Sequence, residues 1–92
     1  MTKEIFTSLF EDERILIEEI DSFGAESDVY NQDHDEWVYL LKGEAIIELQ
    51  CDRVFLQEGD SLFIPKNQVH RVAHTSQDCK WLAVHLLESA QK

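Results

Sequence analysis

The chain has 92 residues, enough for one domain around one core and near the low end of size for independent stability. Its 19 Asp and Glu against 8 Lys and Arg give a net charge of −11; with no basic patch to meet phosphates, nucleic acid is excluded as a partner. The acid is concentrated in residues 1–36, which hold 12 acidic and 2 basic side chains, and a run of this kind is expected to form a solvated face.

Strand signals dominate from the start of the chain. Residues 3–10 (KEIFTSLF) read equally as a helical turn or a strand. Ile15, Leu16, Ile17 and Ile20 form an apolar run rich in β-branched side chains. Glu36–Lys42 (EWVYLLK) meets Gly43, and Glu44–Gln50 (EAIIELQ) follows, which predicts a hairpin with glycine supplying positive φ. Gln50-Cys51-Asp52 predicts a tight turn before Arg53–Leu56. Gln57-Glu58-Gly59-Asp60 predicts another before Ser61–Ile64, which Pro65 stops. Val69–His74 and Lys80–Leu87 complete seven or eight short strands with turns every eight to ten residues, the pattern of an antiparallel sandwich or barrel. No repeat, low-complexity tract or linker divides the chain, so residues 1–92 are expected to form a single all-β domain.

The longest apolar run, Trp37–Leu41, is far short of the ~20 residues that span a bilayer, and no cationic start precedes an apolar stretch. Cys51 and Cys79 lack a C-x-x-C spacing and read as free thiols. Both features predict a cytoplasmic protein without a membrane partner. Alternation along the strand at 36–42 sends Glu36, Val38 and Leu40 to the interior and Trp37, Tyr39 and Leu41 outward. A strand apolar on both faces needs an outer cover. The first segment, with Phe6 and Phe10, is one candidate and a second copy of the chain, giving a homodimer, is the other.

Two sets of residues carry the most specific pattern. Gly24, Tyr30, Gln32, Glu36 and Gly43 are separated by five, one, three and six residues; Gly59, Pro65, Asn67, His70 and His74 by five, one, two and three. Together, over residues 24–43 and 59–74, they resemble the two motifs of the cupin superfamily, G(X)5HXH(X)3-4E(X)6G and G(X)5PXG(X)2H(X)3N. The chain is most similar to small single-domain bacterial cupins. The resemblance implies an antiparallel double-stranded β-helix, the RmlC-like jelly-roll barrel, with a site in its mouth. It covers about residues 14–87. The two histidines of the first motif are replaced by Tyr30 and Gln32. Asn67 replaces a glycine, a substitution that asparagine's tolerance of positive φ allows.

In cupins the motif histidines and glutamate hold a divalent metal. Carried over residue by residue, the ligands implied here are Gln32, Glu36 and His70, for Fe, Mn, Ni or Zn. Tyr30, with a phenol of pKa ~10, is the implied proton donor. Tyr30, Val38 and Leu40 would line the pocket. His34, between Asp33 and Asp35 at an expected bend, is read as solvent-exposed. His74 shares a face with His70 and Val72 but stands ~13 Å along the strand from His70, so it is expected deeper in the barrel, hydrogen-bonded or near its floor. His85 shares a face with Trp81 and Ala83; if that face is interior it approaches the site from across the barrel. Alternation favours the outer face, with Leu82, Val84 and Leu86 in the core. The acidic first third disfavours a large anionic substrate, although Lys66 and Arg71 flank His70. Three functions follow: a metal-dependent enzyme acting on a small molecule, a non-catalytic module that binds or senses a small ligand and has lost its metal, or a dimeric scaffold that acts through the Trp37-Tyr39 face.

Overall fold

The structure, a computed structural model, describes residues 4–87. Eight strands follow in order: β1 (Ile5–Glu11), β2 (Ile15–Asp21), β3 (Asp35–Lys42), β4 (Glu44–Leu49), β5 (Arg53–Gln57), β6 (Ser61–Ile64), β7 (His70–Thr75) and β8 (Lys80–Leu86). They form a five-stranded sheet, β1-β2-β8-β3-β6, and a three-stranded sheet, β5-β4-β7. All pairings are antiparallel. β3 parts from β4 and β7 from β8, while β8 pairs with both β2 and β3, as in the expected jelly roll. Among the described residues, no helix is long and apolar enough to cross a membrane.

The ambiguous first segment is strand β1, paired to β2 (Lys3 lies outside the described residues). The β1–β2 turn is built by Asp12, whose Oδ1 accepts hydrogen bonds from the backbone N–H of Arg14 and Ile15, an Asx turn. The expected hairpin at Gly43 is not one. β3 and β4 belong to different sheets and do not pair, so Gly43 is the corner where the chain crosses between them. Its φ is +85°, and a Cβ there would strike Ser76 Oγ and Asp78 Oδ1, so only glycine fits. Asn67 takes φ 67°, as its substitution for glycine predicts.

The core lies between the sheets: Val38, Leu40, Ala45, Ile47, Leu56, Cys79, Trp81 and Ala83 form one buried cluster. Burial alternates along β3 and β8, and Glu36, Val38 and Leu40 point inward together, as parity requires. Trp37 and Tyr39 point outward and stack, with ring centroids 5.8 Å apart and planes 5° from parallel. The first strand does not cover them. It extends the same sheet beyond β2, and its Phe10 joins the outer face. Registers then align Phe10, Ile17, Val84, Trp37 and Phe63 into one apolar row across all five strands.

Candidate functional site

Main-chain hydrogen bonds lace the two motifs together. The N–H of Tyr30 donates to the His70 carbonyl at 2.7 Å, and the N–H of His70 donates back to Tyr30 at 3.0 Å. The N–H of Asn67 donates to the Gln32 carbonyl at 2.7 Å, and that of Lys66 to Asp35 Oδ1 at 2.8 Å. This lacing sets the Tyr30 ring 5.7 Å from the His70 imidazole, centroid to centroid. Asp33 and His34 bend the chain, after which β3 delivers Glu36 to the interior.

These side chains line one cavity of about 240 Å³ between the sheets. Tyr30, Gln32, Glu36 and His70 supply polar groups, while Ile20, Val38, Ile47, Ile64, Val72 and Trp81 supply an apolar wall. The separated Glu36 and His70 therefore share a compartment. Leu40, expected in the lining, is not part of it. Two positions beyond Val38 the core closes completely, and Leu40 is fully buried in that cluster.

Three histidine expectations change. His85 is inside the barrel, buried with Trp81 and Ala83. Its Nε2 lies 2.9 Å from Glu18 Oε2 and 3.8 Å from Glu36 Oε2. Alternation misassigned it because the outer face of β8 is itself apolar: Leu82 and Val84 sit opposite Tyr39 and Trp37. His34 is turned in rather than solvated, with Nε2 2.9 Å from His85 Nδ1. If His85 donates from Nε2 to Glu18, its Nδ1 accepts from His34 Nε2–H. His74 is exposed on the outer face of the small sheet. Ile46 pairs with His74 and Ile47 with Val72, leaving Ala73 as a bulge that inverts the parity of the strand beyond it. Glu18, missed in the sequence, had a signal: it alternates with Leu16 and Ile20 on one face of β2.

The electrostatics are one-sided. Burial, then the carboxylates of Glu4, Asp28 and Glu36, push the Tyr30 phenol above its ordinary range. Arg71, adjacent to His70 in sequence, turns outward to Glu48 at 2.8 Å and Glu26 at 3.8 Å and does not offset the acid.

His70 donates Nδ1–H to the Gln68 carbonyl at 2.8 Å, which leaves the Nε2 lone pair for a ligand, the tautomer of a ligating histidine. Glu36 accepts no hydrogen bond among the described residues and meets only His85. These two groups and the Gln32 amide fit a cation chemically. No three His, Cys, Asp or Glu side chains among the described residues are arranged to hold one ion, and His85 is engaged with Glu18 and His34.

The model of the cupin domain family matches residues 17–85. A crystal structure of a candidate mannose-6-phosphate isomerase from Ralstonia eutropha JMP134 is similar at 38% identity and TM-score 0.88, over 94% of this chain and 86% of that one. A cupin superfamily protein from Desulfitobacterium hafniense DCB-2 shares the fold at 21% identity and TM-score 0.85, over 94% and 79% of the two chains. An uncharacterised protein of Aquifex aeolicus strain VF5 is 38% identical over 55 residues, 60% of this chain and 46% of that protein. The matched stretch thus spans about half the length of that relative.

Proposed function

The chain belongs to the cupin family, and on that premise we propose that its barrel binds a small molecule in the cavity between the sheets. The observation that carries this reading is the convergence of Tyr30, Glu36 and His70, with the further polar groups of Glu18 and His85, on one compartment that also has an apolar wall, the layout of a small-ligand site. Gln32, Glu36 and His70 are the residues that would hold a divalent ion (Fe, Mn, Ni or Zn). Bound there, the ion would act as a Lewis acid on a ligand oxygen. With a neutral amide in place of imidazoles, such a shell holds metal weakly. The two free thiols, Cys51 and Cys79, support a cytoplasmic setting.

A catalytic reading is favoured by one observation. Tyr30 lines the cavity as a protonated phenol, an O–H donor facing the same compartment as Glu36 and His70, and its upward shift makes it a weaker acid than a free tyrosine. Without a reaction to deliver that proton to, binding is the primary assignment.

The reading includes a homodimer built on the outer row of Phe10, Ile17, Val84, Trp37 and Phe63. An uncharged stripe crossing a sheet suits a second copy of itself about a two-fold axis. Light scattering should give twice the monomer mass, and Trp37→Arg should halve it; a monomeric parent protein refutes the assembly. For the site, thermal shift and metal analysis of the parent protein, Glu36→Ala and His70→Ala are decisive. Stabilisation by small organic molecules, lost in both variants, supports the pocket. Equal responses in all three proteins would refute it. Substoichiometric metal unchanged on adding Mn(II) or Fe(II) assigns the site to organic ligands alone.

A further inference from the structure

The cavity has a marked charge imbalance. Among the described residues its lining includes the carboxylates of Glu4, Glu18 and Glu36 and no Lys or Arg. Three cations elsewhere are held by carboxylates outside the lining: Lys80 reaches Glu19 and Asp21, Arg53 reaches Glu48, and Arg71 reaches Glu48 and Glu26. Glu4 is held at the lining by a buried relay, in which Trp81 Nε1–H donates to Ser22 Oγ at 3.0 Å and Ser22 Oγ–H donates to Glu4 at 2.7 Å.

The second observation is a shortage of donors. His70 is 5% exposed, and its Nε2, an acceptor once Nδ1–H is given to Gln68, has no hydrogen-bond partner among the described residues. The Glu36 side chain is 10% exposed and among the described residues meets only His85, at 3.8 Å. Buried polar atoms are ordinarily satisfied. Two acceptors aimed into one cavity therefore call for a ligand that donates. An ammonium brings three N–H donors and the compensating charge, and the aromatic faces of Phe6, Tyr30 and Trp81 in the same lining suit a cation as well. Even with His85 charged against Glu18, the carboxylates of Glu4 and Glu36 remain.

We infer that the cavity selects a small organic cation, an ammonium-bearing molecule, over phosphorylated or carboxylated ones; the inference rests on the small-molecule reading above. At about 240 Å³, the cavity lies below the ~300–1,000 Å³ of drug-sized ligand sites, so the ligand is compact. A phosphosugar, the substrate class in the description of the Ralstonia relative, would meet carboxylates with no cation in the lining to receive its phosphate.

The test uses matched probes that differ in charge: cyclohexylamine, cyclohexanol, cyclohexanecarboxylate, mannose 6-phosphate and Mn(II) alone. Each is titrated into the full chain while the Trp81 indole N–H resonance is followed. The amine should bind at least tenfold more tightly than the alcohol, and both anions more weakly still. Glu36→Gln, near-isosteric and verified as folded from the same spectra, should erase most of that preference without abolishing binding of the alcohol. Equal affinity for amine and alcohol, or tighter binding of either anion, overturns the inference and leaves the small-molecule reading intact. No shift with any organic probe overturns both. Mn(II) that occupies the site at micromolar concentration and resists saturating amine shows that the carboxylates serve a metal, and also overturns the inference.

Discussion

Nε2 of His85 stands 2.9 Å from Oε2 of Glu18, although the two residues are 67 positions apart. β8 lies between β2 and β3 in the large sheet, so this imidazole separates the carboxylates of Glu18 and Glu36. The His34 imidazole closes the other side of the ring.

Removing that imidazole leaves buried carboxylates facing each other without a donor. His85→Leu is expected to cost about 1–3 kcal/mol of folding free energy, read from the urea midpoint. A double-mutant cycle of His34→Ala and His85→Ala should give a coupling of at least about 0.5 kcal/mol. Additive losses would show that the 2.9 Å contact between the rings does not stabilise the fold.

Burial pushes the Cys79 thiol up to about 12. It stays protonated in the folded chain while the unfolded chain ionises near ~8.5–9. The unfolded state then binds fewer protons, so this contribution is complete below pH ~9 and lost as pH rises toward about 12. Cys79→Ala should flatten the alkaline decline in melting temperature. In the same protein Ellman's reagent should titrate one thiol natively, the exposed Cys51, and both after denaturation; two fast thiols in the native state contradict the burial.

Gly43→Ala combines a left-handed φ of +85° with a Cβ driven into Ser76 and Asp78 at the crossing between sheets. The expected cost exceeds ~1 kcal/mol. Chemical denaturation checks it, and an unchanged midpoint would mean that the corner can relax. Gly59→Ala, where φ is +92° but nothing lies within 4 Å, should cost less.

Tyr30→His with Gln32→His should supply imidazoles to a frame already holding Glu36 and His70. The double variant is expected to bind Mn(II) or Ni(II) at least 100-fold more tightly than the parent protein, measured by titration calorimetry with the metal alone. Unchanged affinity would show that positions 30 and 32 do not face a common ion with Glu36 and His70.

Much of the frame was legible because turns are local. Gly43 and Asn67 declare positive φ through their own chemistry, and the strands between them follow from alternation. What escaped is set by partners. Nothing in Val72-Ala73-His74 announces a bulge, which exists only in the register against Ile46 and Ile47. His85 escaped because the more apolar face of β8 looks outward, against Trp37 and Tyr39, and burial cannot be ranked from one strand when both faces are apolar. The His34–His85 contact joins segments 51 positions apart, beyond any local signal.

The barrel rim is fastened through peptide groups at Tyr30 and Gln32, while neither side chain makes a hydrogen bond among the described residues. Architecture and reactivity are thereby decoupled at these positions. A change of side chain at either position leaves these main-chain bonds in place, so the interior chemistry there can alter without unfastening the rim.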